Sequence, residues 1–248
     1  MSTPPVPVLV FGATGPSGLC IVRESLHRGH HTIAYVRNPA KFPEDLAANP
    51  ELEIIQGEMS DAAGVNAAVA RIGASGVVIS ILGPSAPTAE VRKQPAGLYE
   101  SFYADQILPA MKQHGVRRVL AMSTTSYIDT QGGDADSALR WVLRTGVWLT
   151  FGAAYRTMLG IAGVFRDEGE REGSEIEWTV YRVPVLLGGD ASWAVDREQG
   201  DVHAGPTGSE WMYSIRRGQL ARWLLDQAED TAGRFVRAFP AVSTARVK

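Results

Sequence analysis

Short apolar runs bounded by turn residues recur along the chain at 6–11, 32–36, 52–55, 77–82, 116–122 and 176–183, with longer mixed stretches between them. The runs lack the strict apolar/polar alternation of a strand with one wet face, so they predict strands buried on both sides. The intervening periodicity predicts helices over 16–28, 61–71, 97–113 and 152–171, and a short one between Pro39 and Pro50. In the first of these, Leu19, Val22 and Leu26 share a face, Arg23, Glu24 and Arg28 point elsewhere, and Gly29 supplies a stop. Strands alternating with helices predict an α/β fold, with a mainly parallel sheet wound on both faces by right-handed crossovers. Past residue 183 the pattern thins into turn-rich stretches at Gly188-Gly189-Asp190 and 200–208, then recovers as a helix over 217–228 and a last strand over 235–239. No repeat, charge block or low-complexity linker divides the chain, so 1–248 reads as one domain, with a core over about 6–183 and a substrate-side elaboration over about 184–248.

Composition narrows the setting. With 248 residues, 45% hydrophobic and 21% charged, the chain can bury one sizeable core. A net charge of -3 carries no basic bias, which argues against a nucleic-acid partner. Cys20, the one cysteine, excludes an internal disulfide and suits a reducing compartment. The apolar stretch 138–151 is interrupted by Arg140 and Arg144 and falls short of the roughly 20 residues a membrane span needs. Met1-Ser2-Thr3-Pro4-Pro5 has no secretory pattern, so the expectation is a cytoplasmic protein without a membrane partner.

The first strand opens directly into Gly12-Ala13-Thr14-Gly15-Pro16-Ser17-Gly18. Glycine carries no Cβ, so such a chain can turn tightly and approach a diphosphate while the amides opening the next helix point at it. A purely structural turn has the same composition, but strand, glycine turn and amphipathic helix in this order favour the phosphate cradle of a Rossmann-type dinucleotide unit. In such units an acidic residue about 20 positions further on holds the ribose of NAD. Here that place reads Tyr35-Val36-Arg37-Asn38, no carboxylate occurs before Glu44, and Lys41 follows. The charge suits a 2′-phosphate and predicts NADPH, the alternative being a solvated arginine at a strand end.

Gly12 to Gly18, Val36-Arg37-Asn38-Pro39-Ala40-Lys41, Gln56-Gly57-Glu58-Met59-Ser60-Asp61, Ile79-Ser80-Ile81-Leu82-Gly83, His114-Gly115-Val116-Arg117-Arg118-Val119 and Glu177-Trp178-Thr179-Val180-Tyr181-Arg182 occur in that order. Together they resemble the atypical short-chain dehydrogenase/reductase group, in particular NmrA-like proteins and the biliverdin IXβ reductase/flavin reductase-like branch. The resemblance implies that Thr14, Pro16, Ser17 and Gly18 line a diphosphate, with Gly12 and Gly15 shaping the turn. It also implies Arg37 at the 2′-phosphate, Glu58 and Met59 at the adenine edge, and Leu82 and Gly83 at the nicotinamide-side ribose.

Many relatives pair a catalytic tyrosine with a lysine four residues on, which lowers the phenol pKa and holds the ribose. Tyr155 stands where that tyrosine would fall, but position 159 is leucine. Ser123, at the end of the fifth predicted strand, resembles the serine that orients substrate, its alternative being a hydroxyl satisfying loop backbone. Tyr127 and Trp148 are the candidate substrate contacts, with Trp148 on an apolar wall that core packing would equally explain. His30 and His31 are adjacent and complete no ligand spacing with His27, His114 or His203, so no metal is expected. Ser80 and Ser85 lack a nucleophile elbow. The expected function is NADPH-dependent hydride transfer to a small conjugated or aromatic carbonyl or quinone-like compound. The alternatives are an NmrA-like regulatory dinucleotide binder without turnover and a non-redox isomerase or dehydratase on the same scaffold.

Overall fold

Alternate residues of a strand face opposite sides of its sheet, and in β1 (Val8–Phe11) both sides are apolar and buried. Leu9 and Phe11 enter one core and Val8 and Val10 the other. The same division runs through β2 (Thr32–Val36), where Ile33 and Tyr35 face one side and Ala34 and Val36 the other. The computed structural model describes residues 5–83, 97–134 and 156–246. Within them the strands continue as β3 (Leu52–Gln56), β4 (Val77–Ser80), β5 (Arg118–Thr124), β6 (Glu177–Val183), β7 (Val185–Leu187), β8 (Val202–Gly205), β9 (Ser214–Arg216) and β10 (Ala241–Thr244). The main sheet has the order β3-β2-β1-β4-β5-β6-β10-β8, parallel throughout except for β8, which runs antiparallel to β10. A separate parallel pair, β7 and β9, completes the strands described.

Helices cover both faces. α1 (Pro16–His27) buries Cys20, Ile21 and Val22 beside β1 and β2. Two short segments, a turn of 3-10 helix (Pro39–Lys41) and α2 (Glu44–Ala47), occupy the place of the short helix expected after β2. α3 (Ala62–Ile72) lies on the opposite face through Val65, Ala68, Val69 and Ile72, started by Asp61, whose side chain accepts from the Gly64 amide. α4 is built from Leu98–Ser101, Phe102–Ile107 and Leu108–His114, with the middle part wound as a wider π-helix. Pro109 supplies the reason: it donates no amide bond, and its ring crowds the carbonyl four residues back, which the wider turn relieves. α5 spans 156–170, the described part of the helix expected over 152–171. α6 (Trp193–Asp196) and α7 (Arg217–Glu229) follow, and Leu220, Leu224 and Leu225 of α7 pack on the same core as α1.

Two expectations for the C-terminal third are corrected. The last strand is Ala241–Thr244, not 235–239, and the glycine-rich stretch around 200–208 contains β8, its antiparallel partner. The apolar signal at 235–239 came from aromatic side chains rather than from a strand: Phe235 packs on Trp223 at 5.9 Å and Phe239 on Trp178 at 4.9 Å. β5 also begins at Arg118 rather than 116 and extends to Thr124, while β4 stops at Ser80.

At the end of β6 the fully buried Arg182 pairs with Asp134, which follows the β5 loop. Arg182 also donates to the carbonyls of Phe239 (2.6 Å) and Tyr127 (2.8 Å). Asp134 accepts from the amides of Thr207 (2.7 Å) and Asp129 (2.9 Å). Burial by itself would raise the Asp134 pKa, but the Arg182 guanidinium and the two amides outweigh it and hold the carboxyl below its ordinary value. Breaking such a pair leaves a buried charge, so Asp134→Asn is expected to lower the unfolding free energy by about 3–5 kcal/mol in urea denaturation at pH 7. Because the folded pKa is depressed, this contribution is complete above the unfolded value of about 3.9 and is lost as pH falls through the folded one. The stability gap between wild type and Asp134→Asn should therefore narrow on acidification below about pH 4.

Candidate functional site

In an open parallel sheet the ligand crevice forms where the winding direction reverses, beyond the carboxyl ends of the strands. Here β1 has β2 on one side and β4 on the other, so the crevice lies past Phe11 and Ser80. The two chains leave the sheet together, the Ile81 amide donating to the Phe11 carbonyl at 3.1 Å. Support comes from beneath: the Ser80 hydroxyl meets Tyr103 Oη at 2.7 Å, and Tyr181 Oη donates to the Ser80 carbonyl at 2.9 Å.

The three glycines of the turn answer different demands. Gly12 has φ +82°, a left-handed conformation, and a Cβ there would lie 3.0 Å from Ile81 Cγ2. Gly18 packs against the turn, where a Cβ would come within 2.7 Å of Ala13 Cα and closer still to the Gly12 carbonyl oxygen. Gly15 has neither constraint: its φ is -76° and a Cβ would meet only the Gly12 carbonyl oxygen, at an ordinary 3.5 Å. Inside the protein nothing asks for glycine at 15, whereas a diphosphate lying against the main chain would. Gly15 is also the N-cap of α1, and no side chain caps that end and no acidic residue lies in the first turn. Uncapped amides of a three-turn helix behind a glycine bend suit an anion, so the residues present fit the diphosphate of a dinucleotide.

The other expected cofactor residues lie along the same edge. Arg37 follows β2, exposed, and no carboxylate pairs with it among the described residues. Gly57 bends the chain after β3 against Tyr35, whose hydroxyl donates to the Glu58 carbonyl at 3.1 Å. Burial, helped by the Asp61 and Glu58 carboxylates, pushes the Tyr35 phenol up to about 12, so it remains a donor at neutral pH. The Met59 carbonyl accepts from Gln106 Nε2 of α4 at 2.7 Å, and the Glu58 side chain is exposed. Leu82 and Gly83 follow β4, and Gly83 is packed so closely that a Cβ would lie 2.8 Å from Met122 Cε and 3.1 Å from Met158 Sδ. Thr14 is half-buried and Pro16 exposed at the mouth of the turn. The Ser17 hydroxyl accepts from Arg217 Nε at 3.0 Å.

The catalytic candidates fare differently. Ser123 is fully buried and donates its one proton to the Met158 carbonyl at 2.8 Å, which ties the end of β5 to α5. In this geometry it has no proton to offer an acceptor, and the contact is the backbone-satisfying one. Tyr127 is 8% exposed and stacks on Phe239 at 5.0 Å, and its hydroxyl is buried without a hydrogen-bond partner. Tyr155 and Trp148 lie outside the described residues. Leu159 packs against the core, so an apolar contact occupies the place where a lysine would hold a ribose. Burial pushes the Cys20 thiol up to about 12, which leaves it a packed residue rather than a nucleophile. Among the described residues no helix is long and apolar enough to cross a membrane, and no cluster of three potential metal ligands occurs.

Sequence reasoning missed two charged groups at this end of the sheet. Asp134 carried no local motif, and its value comes from a partner 48 residues away. Arg217 was not singled out, although the Arg216-Arg217 doublet opening a helix was visible.

The family model described as NAD(P)H-binding matches residues 12–231, and the chain belongs to that family. A short-chain dehydrogenase/reductase (wide type) from Veillonella parvula, solved in complex with NADP, superposes with a TM-score of 0.70 at 17% identity, over 96% of this chain and 94% of that one. ChuY from Escherichia coli O157:H7, described as an anaerobillin reductase, gives 0.69 at 19% identity over 98% and 99%. At such identities the likeness is one of fold, and it is the Rossmann-type fold expected. A 3 beta-hydroxysteroid dehydrogenase/Delta 5-->4-isomerase from Mycobacterium tuberculosis is 31% identical over 134 residues, 51% of this chain. The match spans 35% of that relative's length.

The differing demands on the glycines can be separated experimentally. Gly18→Ala is expected to cost about 1–3 kcal/mol of stability through overpacking. Gly15→Ala should cost at most about 1 kcal/mol, the difference between glycine and alanine at an N-cap, yet weaken dinucleotide binding by roughly tenfold, or about 1.4 kcal/mol. Chemical denaturation alongside a fluorescence titration with NADPH measures both.

Proposed function

We propose that this protein is an NADPH-dependent oxidoreductase acting on a small, flat, conjugated or aromatic carbonyl or quinone-like compound. The observation that carries the cofactor choice is Arg37, exposed just past β2 and without a carboxylate partner among the described residues. A guanidinium there provides charge-assisted hydrogen bonds to a 2′-phosphate and no acceptor for a ribose hydroxyl pair. When bound, the reduced nicotinamide would supply the hydride. The chain's own task is then to hold the diphosphate at Gly12 to Gly18, hold the 2′-phosphate at Arg37, and seat the acceptor beyond β4 and β5. Tyr155 is the candidate to hold a proton at the acceptor oxygen, and Trp148 and Tyr127 are the candidate apolar contacts for a flat ring system. The substrate class is supported by what relatives are described as acting on: anaerobillin for ChuY and a 3 beta-hydroxysteroid for the Mycobacterium tuberculosis enzyme.

A second reading, a regulatory dinucleotide binder without turnover, is favoured by two contacts. Leu159 belongs to the core rather than to a proton relay, and Ser123 spends its proton on Met158. The two readings share the cofactor and differ in turnover, so both can be tested on one preparation. Wild type is expected to bind NADPH more tightly than NADH by roughly tenfold to a hundredfold, the range of one charge-assisted contact, and Arg37→Ala should remove most of that ratio. Equal affinities before mutation would sink the NADPH assignment. Loss of NADPH absorbance with quinones, flavins, polycyclic ketones or tetrapyrroles supports the reductase; tight binding with no turnover across that panel supports the regulatory reading.

A further inference from the structure

α1 and α7 pack side by side on one face of the sheet, and contacts run between their matching ends. At their C-terminal ends Arg28 pairs with Glu24 of its own helix and with Asp226 and Glu229 of α7. At their N-terminal ends Arg217, the first residue of α7, donates through Nε to the hydroxyl of Ser17, in the first turn of α1. Both helices therefore begin at the crevice edge of the sheet, and the side chain of Arg217 joins them there. Its Nη1 donates to the Gly188 carbonyl at 2.5 Å, just after β7.

The neighbouring cations are neutralised. Arg23 pairs with Asp45 and Asp190, and Arg216 with Asp196 at 2.9 Å. Arg217 has only two neutral oxygens, and no carboxylate pairs with it among the described residues. A half-buried guanidinium kept from the nearby carboxylates and fixed on the second residue of an uncapped helix is arranged for an anion from outside the protein.

We propose that Arg217 is a diphosphate-binding residue of the dinucleotide site, reaching it from the C-terminal region. It would supply the full positive charge that the glycine turn lacks. Because Arg217 also holds the Gly188 carbonyl, cofactor binding would brace the segment after β7 against α1, coupling the cradle to the substrate side. The inference rests on the dinucleotide reading above. It assigns Arg217 to the two phosphates common to NADPH and NADH, and Arg37 to the one they do not share.

That difference defines the test. NADPH, NADH and adenosine 2′-monophosphate, which carries the 2′-phosphate but neither phosphate of the diphosphate, are titrated against wild type and Arg217→Met, with thermal unfolding of each protein measured without ligand. Arg217→Met is expected to weaken NADPH and NADH by the same factor, roughly tenfold to a hundredfold, and to leave adenosine 2′-monophosphate within about twofold. Unchanged affinity for both dinucleotides would overturn the proposal. So would a loss confined to NADPH, or an equal loss for adenosine 2′-monophosphate, which would mark a general disturbance of the site. Arginine modification of the unmutated protein by phenylglyoxal, mapped by peptide mass, gives a second readout if the variant folds poorly. Arg217 should be protected by NADH and not by adenosine 2′-monophosphate, and equal labelling with and without NADH would also overturn it. Failure of wild type to bind any of the three ligands would instead refute the dinucleotide reading.

Discussion

Arg182 carries its guanidinium out of water at the end of β6, where an isolated charge would cost several kcal/mol. It can stay there because groups from separate parts of the chain converge on it: the Asp134 carboxylate and the carbonyls of Tyr127 and Phe239. Asp134 in turn gathers the amides of Asp129 and Thr207. Parallel strands end in loops with unpaired backbone groups, and this pair gives the loops beyond β5 and β8 and the segment before β10 a common anchor. The crevice side of the C-terminal half is held by one charge satisfied in several directions. Such an arrangement fixes geometry more than it adds net stability, because the Coulombic gain offsets a desolvation cost of similar size.

A second buried charge does comparable work behind the cradle. Glu24 accepts from Arg28 at 2.9 Å and from Arg197 at 2.7 Å, so α1 is tied to the segment that follows α6. Burial would raise its pKa, but the two guanidiniums prevail and hold the carboxyl below its ordinary value. Beneath the crevice the Ser80 hydroxyl meets Tyr103 of α4, and its carbonyl accepts from Tyr181 of β6. The cradle is thus a short, half-buried turn on a base set by buried polar contacts from both faces. A diphosphate-binding turn needs that rigidity, because its amides stabilise an anion in proportion to how little they must move to meet it.

Most of the sheet was legible from the chain because its central strands are wetted on neither face. A continuous apolar run between turn residues has few other structures open to it, and six such runs gave β1 to β6 within two residues at most ends. The glycine turn was legible for a related reason, since its geometry is local and its residues adjacent. The C-terminal strands were not. β8 and β10 are short strands toward the sheet edge, and their pairing depends on each other rather than on any local pattern. The stronger apolar signal of Phe235 and Phe239 belonged to aromatic packing against Trp223, Trp178 and Tyr127.

The sequence by itself determined the order of strands and helices, the place of the phosphate cradle and the charge at the end of β2, because each is written in residues within a few positions of one another. Only the tertiary structure decided how hydroxyls and charges far apart in the chain are used. Ser123 became a tie to α5, Leu159 a core contact, Asp134 the partner of Arg182, and Arg217 the companion of Ser17 across 200 residues. A polar side chain's role depends on which donor or acceptor reaches it first, and that is a property of the folded arrangement rather than of local spacing.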